Sequence, residues 1–270
     1  MKTIRLNERA NIPVLGLGTW QMTGSACTEA VSYALGLGYR HIDTADVYGN
    51  HAEVAGGIKA SGAARGDFFL TTKIWRTDLA HDPLLASADR VLQELATDYI
   101  DLLLIHWPNQ DIPVEATLRA MEELRRAGKV RALGVSNFTA HHLADALEAG
   151  VEITNNQVEI RPAFAQKELR DYCAAKNISI TAYSSLRGGD PNLPLIQELA
   201  GKYGKTPAQI ILNWIIARGM IAIPKSTHPE RIKENFESID FEIEEPDLAR
   251  IDNLPQGKRV NTPAFAEFEY

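Results

Sequence analysis

Cysteine is scarce: the 270 residues include only Cys27 and Cys173. They form no CxxC and no Cys/His spacing suited to zinc. Two free thiols in a reducing cytosol are therefore expected. No segment approaches the run of about 18 apolar residues that a membrane helix needs. The opening MKTIRLNERANIPVLGLG lacks an apolar core long enough for a signal peptide. A soluble, cytoplasmic protein is the expectation, with no membrane partner. Strong charge of one sign is also missing. The 28 Lys and Arg against 35 Asp and Glu leave a net charge of -7, whereas a nucleic-acid binder needs a basic face to neutralise phosphates. No low-complexity linker or charge block divides the chain. What remains is ordinary globular material, 45% hydrophobic and 23% charged, enough for one large domain over residues 1–270.

Short β-rich segments alternate with longer amphipathic ones. Strands are predicted at Val14–Leu17, Arg40–Asp43, Phe68–Lys73, Ile100–His106, Ala132–Ser136, Ile153–Val158, Ser179–Tyr183 and Ile221–Ile223. Helices are predicted near 28–37, 52–60, 84–95, 114–126, 140–149, 167–176, 207–217 and 229–236. Leu118, Met121 and Leu124 recur three apart with Arg119, Glu122 and Glu123 between them, a helical period. Thr206 before Pro207 reads as an N-cap with proline at the first helical position. Gly38, Gly128 and Gly150 fall where a left-handed residue ends a helix. Asp101 followed by Leu102-Leu103-Leu104-Ile105 suits a parallel strand covered on both faces. Eight strand–helix units in this length predict an α/β fold, a (β/α)8 TIM barrel in a single domain, with an open doubly wound sheet as the alternative. The residues before Val14 suggest a small hairpin closing the barrel bottom, with Asn11 near its end.

A barrel places its active site at the C-terminal strand ends, and polar residues recur there. They are Asp43 with Tyr48 five residues on, Lys73, His106, Ser136-Asn137, Gln157, Tyr183 and Pro224-Lys225-Ser226. Singly, each has a bland explanation as a cap, a strand-end charge or a packed ring. Together at one rim they suggest chemistry. A carbonyl that takes hydride at carbon must gain a proton on oxygen. Tyrosine can supply it, but its free pKa of about 10 makes it a reluctant acid. The expectation is that Lys73 lowers that pKa, that Asp43 holds Lys73 charged, and that His106 hydrogen-bonds the substrate oxygen.

The runs GYRHIDTADVYGN, DYIDLLLIHWP and IPKSTHPERIKEN resemble the aldo-keto reductase superfamily, and the resemblance runs from GLGTW to the last helix. Within it the chain is similar to bacterial 2,5-diketo-D-gluconate and methylglyoxal reductases. The resemblance implies NADPH-dependent reduction of small aldehydes and ketones, with a catalytic tetrad of Asp43, Tyr48, Lys73 and His106 and with Tyr48 as proton donor. It implies NADPH extended across the barrel mouth. Consistently, Gly16-Leu17-Gly18 is followed by Thr19-Trp20-Gln21, so the third glycine of a GxGxxG is missing. Ser136, Asn137 and Gln157 would hold the carboxamide and Tyr183 would stack on the nicotinamide. Lys225, Ser226 and Arg231 would meet the 2′-phosphate, with Glu234 and Asn235 on adenine. A phosphate dianion gains charge-assisted hydrogen bonds from Lys225 and Arg231 that a hydroxyl does not, which favours NADPH over NADH. Two positions depart from the family. His51 stands where glutamate is usual, and His228 where close relatives often carry arginine, which should weaken the cofactor preference.

Trp20, Trp75 and Trp107 are expected to supply apolar pocket surface. The short loop after Pro108 and the short tail beyond Leu254 suggest an open site for small carbonyl substrates. A monomer is expected, as is common in the family. Two other functions compete. One is a regulatory barrel like the potassium-channel β-subunits, which the intact tetrad opposes. The other is a metal hydrolase prompted by His41-x-Asp43, which would need more ligands at strand ends than the sequence offers, so no metal is expected.

Overall fold

The computed structural model describes residues 1–270. The chain opens with β1 (Thr3–Arg5) and β2 (Asn11–Pro13), an antiparallel hairpin, followed by β3 (Leu17–Gly18) and α1 (Gly24–Leu37). Next come β4 (His41–Asp43), α2 (His51–Ser61), β5 (Phe69–Ile74), α3 (His81–Glu94), β6 (Ile100–Ile105) and α4 (Val114–Arg126). The second half runs β7 (Val130–Ser136), α5 (Ala140–Glu148), β8 (Asn155–Glu159), α6 (Lys167–Ala175) and β9 (Ser179–Tyr183). It ends with α7 (Pro194–Tyr203), α8 (Pro207–Ala217), β10 (Ile221–Ala222), α9 (Pro229–Phe236) and α10 (Glu245–Asp252).

Strands β3 to β10 pair in chain order, every neighbour parallel. Leu15 bridges Ala222, and Gly16 and Ala222 exchange backbone hydrogen bonds with the opposite segment, so the sheet closes on itself. This is the (β/α)8 barrel. The open-sheet alternative is ruled out by that closure.

The alternation along β6 explains its apolar run. Leu102 and Leu104 point into the barrel, while Leu103 and Ile105 face the helices. Leu6, Ala10 and Ile12 pack with that inner set, so the hairpin plugs the bottom. At that end Asn7 Nδ2 donates to the carbonyl of Arg131 at 3.2 Å. His41 also lies inside the barrel, edge-on to Phe69, and a Cβ on Gly16 would come within 2.4 Å of its Nδ1. Glycine is needed at 16 for this close approach.

The predicted caps are present. Thr206 Oγ1 accepts from Gln209 N, and Gly38, Gly128 and Gly150 all have positive φ. Two helices escape the sequence reading. Helix α7 doubles the helical connection after β9, so one strand is followed by two helices. Helix α10 is short and polar. Strand limits also shift: β3 begins at Leu17 where Val14 was predicted, and β7 begins two residues early, at Val130.

Burial in the barrel gives a pH dependence. His41 is fully buried and its pKa is lowered to about 3, chiefly by burial and then by the Lys73 charge. The unfolded chain therefore binds a proton that the folded chain refuses between about pH 6.5 and 3. Stability is expected to fall as pH drops through that window, by about 1.4 kcal/mol per unit for this group. Urea midpoints at about pH 7 and pH 5 check this, and equal values would contradict it.

Candidate active site

At the C-terminal rim of the barrel, the four sequence-predicted catalytic residues converge from three adjacent strands and one turn. Asp43 ends β4, Lys73 lies in β5, and His106 follows β6. Tyr48 closes the 3-10 turn Asp46–Tyr48, which Gly49 ends in a left-handed conformation. Asn50 locks that turn from behind. Its Nδ2 donates to the carbonyls of Thr19 and Met22, at 2.9 and 3.0 Å, and its Oδ1 accepts from Thr44 Oγ1 at 3.0 Å. From outside, Arg90 grips Asp46 with two bonds of 2.8 and 2.9 Å. His51, the departure from the family pattern, spans Glu94 (2.9 Å) and Thr72 (3.1 Å), so it packs beside the lysine strand.

Lys73 is wholly buried. Its ammonium donates to Asp43 Oδ1 at 2.6 Å and to the Thr44 carbonyl at 2.7 Å. The other Asp43 oxygen accepts from Gln157 Nε2 at 2.7 Å. Burial opposes charge on both partners, raising the Asp43 pKa and lowering that of Lys73, while each partner acts against the other's shift. The ammonium lies 5.2 Å from the centre of the Tyr48 ring. Tyr48 in turn meets His106 edge-on at 5.7 Å, and Trp75 meets His106 at 5.2 Å.

One electrostatic expectation is overturned. The Tyr48 pKa is raised well above its ordinary value, by burial first and then by the Asp43 charge. Lys73 does not reverse this: its ammonium is paired with Asp43 at 2.6 Å, and the Asp43 charge acts on the phenol in the opposite sense. The phenol is therefore firmly protonated. The His106 pKa is lowered well below its usual value by burial and by Lys73, so the ring is neutral. Its Nδ1 is buried with no partner. A proton there would be an unsatisfied buried donor, so the proton belongs on Nε2, which opens to the cleft.

A cleft of about 710 Å³ covers this rim. Asp43, Tyr48 and His106 line it, with Lys73 hidden behind them. Ser136, Asn137, Gln157, Tyr183 and Lys225 also line it. Asn137, in a left-handed conformation (φ 64°), donates to the His106 carbonyl at 3.0 Å and accepts from the Tyr183 hydroxyl at 2.7 Å. Ser136 Oγ donates to the Gln157 carbonyl at 2.8 Å.

The remaining predicted cofactor residues lie outside the cleft, on and just before α9. Arg231 is exposed, Ser226 and Asn235 are buried, and Glu234 accepts from Thr206 Oγ1 at 2.7 Å. His228 is exposed, with Nδ1 3.6 Å from Glu230. His41 plays no part in the cleft: its Nε2 pairs with Thr71 Oγ1 at 3.0 Å. A different group, Asp46, His51 and Glu94, brings its donor atoms within 4.8 Å of one another, but Arg90 already occupies both carboxylates.

The three tryptophans all line the cleft, Trp20 exposed and Trp107 buried. The open mouth expected from a short tail is not what forms. Phe265 from the tail meets Trp75 and Trp107 edge-on at 5.4 and 5.3 Å, and Asn261 and Pro263 also line the cleft. On another side, the Arg187 guanidinium lies 5.5 Å above the Trp20 ring. Nothing in the sequence signals these tail contacts, because the segment has neither period nor motif.

A model of the aldo/keto reductase family matches residues 14–190 and 191–255. The glyoxal reductase of Bacillus subtilis is 42% identical over 261 residues, covering 96% of this chain and 94% of that protein. The methylglyoxal reductase DkgA of Escherichia coli is 40% identical over 263 residues, covering 95% and 94%. A Bombyx mori aldo-keto reductase solved in complex with NADP superposes with a TM-score of 0.88 at 33% identity, covering 97% of this chain and 95% of that one.

Proposed function

This chain belongs to the aldo/keto reductase family, and we propose that it reduces small aldehydes and ketones, dicarbonyls and keto-sugar acids among them, with NADPH and with Tyr48 as the acid. The observation that carries the reading is the convergence of a protonated Tyr48, the Lys73–Asp43 pair and a neutral His106 on one cleft. The names of the relatives, glyoxal and methylglyoxal reductase, favour short dicarbonyls. A soluble monomer in the cytoplasm is part of the same reading.

The donor set suits a phosphorylated nicotinamide dinucleotide. Gln157, Asn137 and Ser136 offer amide and hydroxyl groups to a carboxamide, and Tyr183 offers a ring face. Lys225, Ser226 and Arg231 suit the 2′-phosphate, with Glu234 and Asn235 toward adenine. When bound, the cofactor supplies hydride. Tyr48 passes its proton to the substrate oxygen, and the phenolate that remains faces the Lys73 ammonium. His106 donates from Nε2 to the same oxygen and orients it. Trp20, Trp75 and Trp107 exclude water from the substrate side.

Glu230 beside His228 adds negative charge near the proposed phosphate site, so the preference for NADPH is expected to be modest. Arg231→Ala should raise the KM for NADPH roughly 10- to 100-fold, with NADH little changed, since hydrogen bonds to a charged group contribute roughly 1.5–3 kcal/mol. The reading is tested by a panel of glyoxal, methylglyoxal and 2,5-diketo-D-gluconate, following NADPH absorbance. Turnover of at least one is expected. Cofactor binding without turnover of any carbonyl would point to a regulatory barrel instead.

A further inference from the structure

The tail beyond α10 contains no helix or strand, yet at Val260 and Asn261 it is held by a fully buried carboxylate. Glu159, at the end of β8, is completely excluded from solvent. Its oxygens accept from Val260 N at 2.9 and 3.1 Å, from Asn261 N at 2.9 Å, and from Arg161 Nε at 3.3 Å. Arg161 also donates to the Lys258 carbonyl and, at 2.8 Å, to Asp190. A buried carboxylate is costly unless its oxygens are fully bonded. Here most of the bonds come from tail backbone, so tail and carboxylate each satisfy the other.

What the clamp holds is significant. Glu159 and Tyr183 are register partners on adjacent strands. Asn261 bridges them, its backbone N–H on Glu159 and its side-chain Nδ2 on the Tyr183 hydroxyl at 3.2 Å. That hydroxyl donates onward to Asn137 Oδ1 at 2.7 Å, and Asn137 donates to the His106 carbonyl. The Tyr183 ring is thus pinned at its tip from both sides, by Asn137 from the barrel and by Asn261 from the tail. Burial keeps the phenol protonated, so it donates to one neighbour and accepts from the other.

We propose that Asn261, held in place by Glu159, is a positioning residue that fixes where the Tyr183 ring lies for stacking on the nicotinamide ring. This rests on the assignment of Tyr183 as the stacking residue above. Both bonds meet at the one hydroxyl oxygen: with either alone the tip can swing on the side-chain torsions, whereas with both its place against the cleft is set. The tail then has two duties. Phe265 walls the substrate side, and Asn261 aligns the cofactor side.

The test is calorimetric titration of wild type, Asn261→Ala, Tyr183→Phe and the double variant with two ligands, NADPH and adenosine 2′,5′-bisphosphate, which lacks nicotinamide. Asn261→Ala is expected to weaken NADPH about fivefold, the factor for one ordinary hydrogen bond, and to leave the bisphosphate unchanged. In the Tyr183→Phe background, removing Asn261 should have no further effect. Glu159→Gln should speed tryptic release of the tail at Lys258 and Arg259, which lie in the clamped segment, and should weaken NADPH in the same selective way. Equal weakening of both ligands, or an Asn261 effect that persists without the Tyr183 hydroxyl, would overturn the proposal. So would unchanged NADPH binding by Asn261→Ala. Failure of the wild type to bind NADPH at all would instead sink the functional reading beneath it.

Discussion

Tyr48→Phe is expected to lower kcat by about 10²- to 10⁴-fold while leaving NADPH affinity nearly unchanged, the loss that removing a general acid produces. The variant keeps the ring, so the edge-on contact with His106 at 5.7 Å survives and the cleft keeps its shape. No hydrogen bond within the protein depends on the phenol, which faces the cleft. Only the transferable proton is lost. Because His106 is neutral and its one open nitrogen carries a proton, it can still orient the carbonyl but is a very weak acid. Steady-state kinetics on the variant check this. A KM rise for NADPH of similar size to the kcat loss would mean that Tyr48 shapes the site without serving as its acid.

Lys73→Met is expected to damage both folding and turnover. The ammonium is completely buried, and its removal leaves Asp43 buried with only Gln157 as a donor. Breaking one side of a buried pair costs about 3–5 kcal/mol. Methionine fills much of the space, so the loss comes chiefly from the stranded carboxylate. The double variant Asp43→Asn with Lys73→Met should therefore be more stable than the sum of the two single changes predicts. Urea unfolding of all four proteins measures this coupling. Additive losses would mean that the pair contributes no more than its separate contacts. In either background turnover should collapse, because nothing then faces the phenolate that Tyr48 becomes.

The sequence foretold the barrel because its signals were local and repeated. Strand and helix periods, the cap at Thr206 and the C-terminal glycines each report on a few neighbouring residues, and eight repeats of them leave few topologies. The rim residues were legible for a related reason, since a barrel brings the ends of its strands to one place. Three things were hidden. Helix α7 broke the one-strand, one-helix rhythm without breaking any local rule. The raised pKa of Tyr48 comes first from burial and then from the Asp43 charge, and both depend on tertiary packing that a strand-end position does not reveal. The tail was read as a short, open edge because its docking is entirely tertiary. It is held by Glu159, Arg161 and the aromatic faces of Trp75 and Trp107, residues that lie far from it in sequence.

The most direct measurement is the stoichiometry of the wild-type protein with methylglyoxal, following NADPH loss and alcohol formation in one reaction mixture. The account predicts one alcohol formed for each NADPH oxidised. NADPH that binds without being consumed, or that is consumed without an alcohol appearing, would contradict it.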